Sequence, residues 1–379
     1  MDLLLNIALT LGSIILGLIV GVIFEDPLRQ RWNAVTRWNR RRQSRNRSAE
    51  TSLHGPLRTF KLGPISTSQY IVDGNGEIPF AEDKVHITVS TKELVLPNDL
   101  QPIRSEIESE QEAKRESGQH YFWNGPNYAV ESFRISRTPE EEDPEVRIGF
   151  CYSDYFNFLA AMRALDRPVP DERRTFREKY LGDFQWHRPV PAFSSSFGVN
   201  VSVVTSDEKL VIRRRSAVVG SRPNQYTIAA NEGLSRIDSS GRTPPSPFSC
   251  ARRALREELA IDPDSYDDYE LLAFTIDLDL HQWGCLGMVQ LKDMTFPDLI
   301  EHATRGAPDR WEHGDELIGV EFDVESVLHF IIDPERRKSW SPAAVVSLYL
   351  VLVRVFGRSA VEFALRRMGI RRRGQWTWG

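Results

Sequence analysis

Cysteine is scarce in this chain. Cys151, Cys250 and Cys285 are its only three, far apart and odd in number. That excludes a disulfide framework and a metal-spaced cysteine pair, and it fits a reducing compartment where all three act as small buried hydrophobes. An excess of positive charge is also lacking. With 48 Lys+Arg against 53 Asp+Glu, the net charge is -5, which argues against a general nucleic-acid binder. Internal repeats and low-complexity segments are absent. The 379 residues, 41% of them hydrophobic, are enough for about two domains with a sizeable core.

Charge is missing altogether from Leu3 to Phe24, where Asn6, Thr10 and Ser13 are the only polar residues in a run of 22. At a rise of ~1.5 Å per residue, a helix of that length spans ~33 Å, against a bilayer core ~30 Å thick. A cleaved signal peptide wants a positive start, a shorter apolar stretch and a small-residue cleavage site. Here the start carries Asp2, and Glu25-Asp26-Pro27 follows. A single transmembrane helix at 3–24 is therefore expected. Eight arginines lie between Arg29 and Arg47, with Trp32 and Trp38 among them. Positive flanks stay in the cytoplasm, so the N-terminus is placed outside the cell membrane and the rest inside. Residues 25–57 form a basic juxtamembrane linker, a collar suited to membrane lipid. A basic-aromatic tail at 371–379 repeats that character.

Residues 58–190 carry a mixed α/β pattern. Strands are expected at Val85–Val89, Tyr128–Ile135 and Val146–Cys151, with an exposed charged helix over 99–117 and an amphipathic helix over 154–165. No catalytic constellation stands out there. In residues 191–370, Phe197, Val199, Val201 and Val203 alternate as a strand, and Leu210 to Arg213 returns as a hairpin partner. Further strands are expected at 226–230, 272–280, 284–291 and 317–322. Ala343 to Phe356 is apolar but too short to span a bilayer, so it reads as a buried core helix.

Between these strands lies Ser249-Cys-Ala-Arg-Arg-Ala-Leu-Arg-Glu-Glu-Leu-Ala-Ile261. Ala251, Ala254, Leu255 and Leu259 fall at helical spacing, Ser249 is placed to cap the start, and Asp262-Pro263 to end it. Adjacent carboxylates beside an arginine suit a hard cation that prefers oxygen ligands.

The order of elements, with Arg253-Ala254-Leu255-Arg256-Glu257-Glu258-Leu259-Ala260-Ile261 inside it, resembles the Nudix superfamily. The match covers the C-terminal half only, and its box is degenerate. The resemblance implies an α+β fold: after the membrane helix and the mixed region comes a Nudix-like α/β/α sandwich over 191–370. It implies that Glu257 and Glu258 bind Mg2+ or Mn2+ and that Arg253 orients a carboxylate. Ala254 stands where many members have a glutamate, and Ala260 where they have glycine. Nineteen residues separate Gly233 from Arg253, six more than the box prescribes. Asp238 is the nearest acid to the box's middle glutamate, and Glu232 is a candidate compensating catalytic acid or base, as are Glu312, Asp315 and Glu316. Arg213, Arg214 and Arg215 read as a solvated strand end that phosphates could also meet.

Two functions follow. One is a membrane-anchored, metal-dependent hydrolase of nucleoside-diphosphate-linked compounds. The other is a catalytically inactive module that uses the same fold to bind a nucleotide-like ligand or protein partner and signals at the membrane.

Overall fold

The structure, a computed structural model, describes residues 58–137, 144–215, 217, 219, 221–239, 243–306 and 313–370, without the side chains of 313–315. The transmembrane helix expected at 3–24, the linker at 25–57 and the tail at 371–379 lie outside these. Among the described residues, no single helix is long and apolar enough to cross a membrane.

The fold is mixed α+β. Its N-terminal part runs through β1 (Lys61–Leu62), β2 (Ile65–Ser66), β3 (Gln69–Asp73), β4 (Val85–Glu93), α1 (Gln101–Glu116), β5 (Pro126–Ser136), β6 (Glu145–Asp154), α2 (Tyr155–Ala164) and α3 (Phe176–Leu181). The chain continues through β7 (Phe197–Val204), β8 (Lys209–Arg215), β9 (Tyr226–Ile228), β10 (Ala230–Gly233) and α4 (Pro247–Leu259). It ends with β11 (Glu270–Asp277), β12 (Gln282–Gln290), α5 (Phe296–Gly306), β13 (His313–Glu321), α6 (Val324–Ile332), α7 (Pro342–Phe356) and α8 (Arg358–Arg367).

The alternation of Phe197, Val199, Val201 and Val203 does build a central strand, and all four are wholly buried. The large sheet is ordered β13-β8-β7-β12-β11-β3, with β9 on β8 and β10 on β7. β7 and β12 run parallel, and the other pairs in this sheet are antiparallel. Helix α4 packs on one face with Ala251, Ala254, Leu255 and Leu259. Helix α7 packs on the other with Ala344, Val345, Leu348 and Leu352. Helices thus lie on both faces of the large sheet, and α7 is the buried core helix its composition predicts.

Several details differ from the sequence expectation. β3, drawn within the separate 58–190 region, joins the large sheet through its pairing with β11. The small sheet β4-β6-β5 lends Phe133, Ile148 and Phe150 to the same core that holds α4. The described residues accordingly form one compact unit. Helix α1 is not simply exposed: Ile107 is fully buried, and Gln111 accepts the Phe122 N–H at 2.8 Å. The turn between β11 and β12 falls at 278–281, not 281–283, and His281 takes a φ of 51° there.

Gly284 faces Gly198 across the parallel seam of β7 and β12. A Cβ on Gly284 would lie 2.3 Å from the Gly198 carbonyl oxygen, far inside contact distance. Gly284→Ala is therefore expected to cost about 1–3 kcal/mol, seen as a lower denaturant midpoint at unchanged slope. A midpoint equal to that of the unmodified chain would contradict this strand register.

Candidate functional site

The site is organised by α4, which begins and ends differently from the sequence expectation. Ser246, not Ser249, caps it, accepting the Phe248 N–H at 3.1 Å, and Pro247 takes the first helical position. Proline suits that position because its missing N–H has no helical partner there. At the other end the helix stops before Pro263. Ala260 enters the left-handed region at φ 54°, with its N–H on the Arg256 carbonyl and the Ile261 N–H on the Leu255 carbonyl. An alanine is strained in that conformation by roughly 1–2 kcal/mol, a cost that glycine, with no Cβ, does not carry.

Arg253 is the hub of the site. It projects from the buried side of α4 and is 8% exposed. Its Nε and Nη2 donate to the two oxygens of Asp238 at 2.7 and 2.9 Å, a bidentate pair, and Nη2 also donates to the Gly233 carbonyl at 2.8 Å. Its Nη1 lies 3.1 Å from Glu257 and 3.2 Å from Glu232. Burial works against the guanidinium charge. The carboxylates of Asp238 and Glu232 more than reverse this and hold Arg253 well above its ordinary pKa. Asp238 ends a single 3-10 turn, Arg236–Asp238, and accepts the Ser235 N–H at 2.8 Å. The enlarged loop therefore folds back to deliver one acid to Arg253.

Glu232 is the most perturbed acid in the cluster. Burial raises its carboxyl, Arg253 opposes that and Glu258 adds to it, so the group is pushed up to about 8. Its Oε1 also accepts the Gly233 N–H at 3.0 Å.

Glu258 points elsewhere. Successive helical residues are rotated by about 100°, so Glu257 shares the Arg253 face while Glu258 falls in the core stripe beneath Ala251, Ala254 and Leu255. It is 2% exposed. Its Oε2 accepts from Arg213 Nη1 at 2.9 Å, and its Oε1 accepts the Asn231 N–H at 2.9 Å. Arg213 Nη2 further donates to the Glu258 carbonyl at 3.2 Å. Arg213 itself is 3% exposed, and burial pulls its pKa down while Glu258 supports the charge. Arg213 is thus no solvated strand end. Arg214 stacks its guanidinium 5.9 Å above the Tyr226 ring, and Arg215 donates to the Ser221 carbonyl at 3.2 Å.

Of the residues singled out in the sequence, Arg253, Glu257 and Glu232 meet, while Glu258 is turned toward Arg213. Asp238 joins as the firmest partner of Arg253. Glu312 lies outside the described residues, and so does the side chain of Asp315. Glu316 is exposed. The Arg213–Glu258 pair was not anticipated. Its signal is an arginine continuing the buried run Leu210-Val211-Ile212, a place it can occupy only beside an acid.

A divalent cation does not fit this arrangement as it stands. Glu257 and Glu232 are drawn to one arginine nitrogen, and Glu258 is bonded to another arginine and a backbone N–H. Among the described residues, no three His, Cys, Asp or Glu side chains are disposed to hold a metal. The expected Mg2+ or Mn2+ site on Glu257 and Glu258 is therefore not formed here, because the two carboxylates answer to different guanidinium groups.

No family model matches the chain, and no curated protein does. Among solved structures, it is similar to DR0079 from Deinococcus radiodurans, at 17% identity over 40% of this chain and 81% of that one, with a TM-score of 0.29. It is also similar to Tm1382, described provisionally as a Nudix hydrolase, at 18% identity over 41% and 71% of the two chains, with a TM-score of 0.25. At such scores neither likeness bears on family or activity.

Removing one partner of a buried ion pair leaves the other charge uncompensated, at a cost of about 3–5 kcal/mol. Glu258→Gln is expected to lose stability on that scale in chemical denaturation, and Arg213→Met with Glu258→Leu to recover most of it. A double variant no more stable than the single one would show that the pair is not what holds α4 to β8.

Stability should also depend on pH through Glu232. With its folded pKa raised from 4.5 to about 8, the folded state binds the proton more tightly than the unfolded chain. Its contribution is full below about pH 4.5 and is lost as pH rises toward 8. Glu232→Gln should therefore flatten the fall in melting temperature across that window. An unaltered slope would place the titration elsewhere.

Proposed function

We propose that the chain is a membrane-tethered, Nudix-like module that does not catalyse hydrolysis and instead binds a nucleotide-like ligand or a protein partner at the cytoplasmic face. The observation that carries this reading is where the acids go. Asp238, Glu232 and Glu257 are bonded to Arg253, and Glu258 to Arg213. Ala254, at the position where the box has a further glutamate, is buried against the sheet. Internal ion pairs therefore use the groups that metal-assisted cleavage needs as ligands and base. The apolar run at 3–24 and its arginine collar support the tether.

Metal-dependent hydrolysis of nucleoside-diphosphate-linked compounds is the second reading, and one observation favours it. A buried carboxyl poised near neutrality, as Glu232 is, belongs more often to catalytic sites than to structural ones.

Full-length protein in detergent, incubated with nucleotide sugars, dinucleotides and nucleoside triphosphates plus Mg2+ or Mn2+, separates the two. No turnover above that of a Glu257→Gln variant is expected. Metal-dependent turnover that this substitution abolishes would overturn the proposal in favour of the hydrolase.

A further inference from the structure

The end of α7 and the outer side of α8 carry apolar and basic side chains that are left exposed among the described residues. From Ala344 to Val353 every residue of α7 is buried, but the apolar run outlasts the core. Val355 is 44% exposed, Phe356 is 36% exposed with its ring resting on Phe322 at 5.1 Å, and beyond the bend at Gly357, Phe363 is 57% exposed. Three of the eight large hydrophobics exposed among the described residues thus fall within nine positions. On α8, Arg366 and Arg367 stand three and four residues after Phe363, so ring and cations share one helical face.

Arg366 has no ion-pair partner among the described residues. Arg367 meets Glu325 at 2.7 Å, with both side chains largely in solvent, a pairing of little strength. Glu362 is the one carboxylate on α8. Directly after Ile370 the sequence adds Arg371, Arg372 and Arg373, then Trp376 and Trp378.

We propose that this corner docks on an anionic phospholipid surface, with Val355 and Phe363 entering the headgroup boundary and Arg366 and Arg367 meeting lipid phosphates and carboxylates. Apolar residues beside cations on one helix face are what binds at such an interface, and basic segments are drawn to anionic leaflets. A second copy of the chain fits less well, because a two-fold contact would set these arginines against themselves. The proposal does not depend on whether the Arg253 site is catalytic.

The test uses full-length Phe363→Cys carrying an environment-sensitive fluorophore. The native cysteines are all buried, so the label goes to one place. In nanodiscs of phosphatidylcholine with phosphatidylserine, emission should shift to the blue relative to phosphatidylcholine alone. The shift should be lost in high salt and in an Arg366→Glu, Arg367→Glu background. Labelled Ser359→Cys, on the exposed side of the same helix, should respond likewise. Identical emission in both lipids at both positions would overturn the proposal, and so would a shift seen only in discs holding two chains.

Discussion

An arginine in the middle of a covered strand is the constraint on which this structure turns. Arg213 lies in β8, between the two helical layers, where an unpaired charge would be untenable. The chain answers with Glu258 from α4, which bonds the guanidinium and also accepts the Asn231 N–H. One carboxylate thereby ties α4 to β8 and to the start of β10. Once Glu258 is committed to that role, Glu257 is left on the adjacent face with Arg253, and the acids that arrive from Glu232 and Asp238 gather around that second arginine. The two neighbouring glutamates are separated by helical geometry and held apart by two opposite demands for charge neutralisation.

The same geometry couples the loop after Gly233 to the helix. Arg253 reaches the Gly233 carbonyl and both oxygens of Asp238, so it anchors the two ends of the turn between them. Arg253 offsets charge on Asp238, Glu232 and Glu257, which leaves the cluster less able to attract a divalent cation and suits a structural junction.

Much of the fold was legible in the residues, for reasons that can be named. Alternation in β7 and β11 and the length and hydrophobicity of α7 are local signals, and the structure follows them. Strand β3 was not legible, because Gln69–Asp73 is short and its partner β11 lies some 200 residues away. The burial of α1 also escaped, since it depends on Ile107 and on the reach of Gln111 to Phe122. At the site, Arg253 and Glu257 could be paired from their spacing of four. The fate of Glu258 could not, because it is decided by Arg213, 45 positions earlier. Helix boundaries slipped for a related reason: Ser246 and Pro247 form a better start than Ser249, and Ala260 accepts a left-handed conformation before Pro263 is reached.

The most direct test is crystallographic, using crystals of the protein soaked in Mn2+ and measured for anomalous scattering. The expected map shows Glu258 bonded to Arg213, with Glu232 and Glu257 on Arg253, and no anomalous peak among them. A manganese peak ligated by Glu257 and Glu258, with Arg213 displaced, would contradict the central claim.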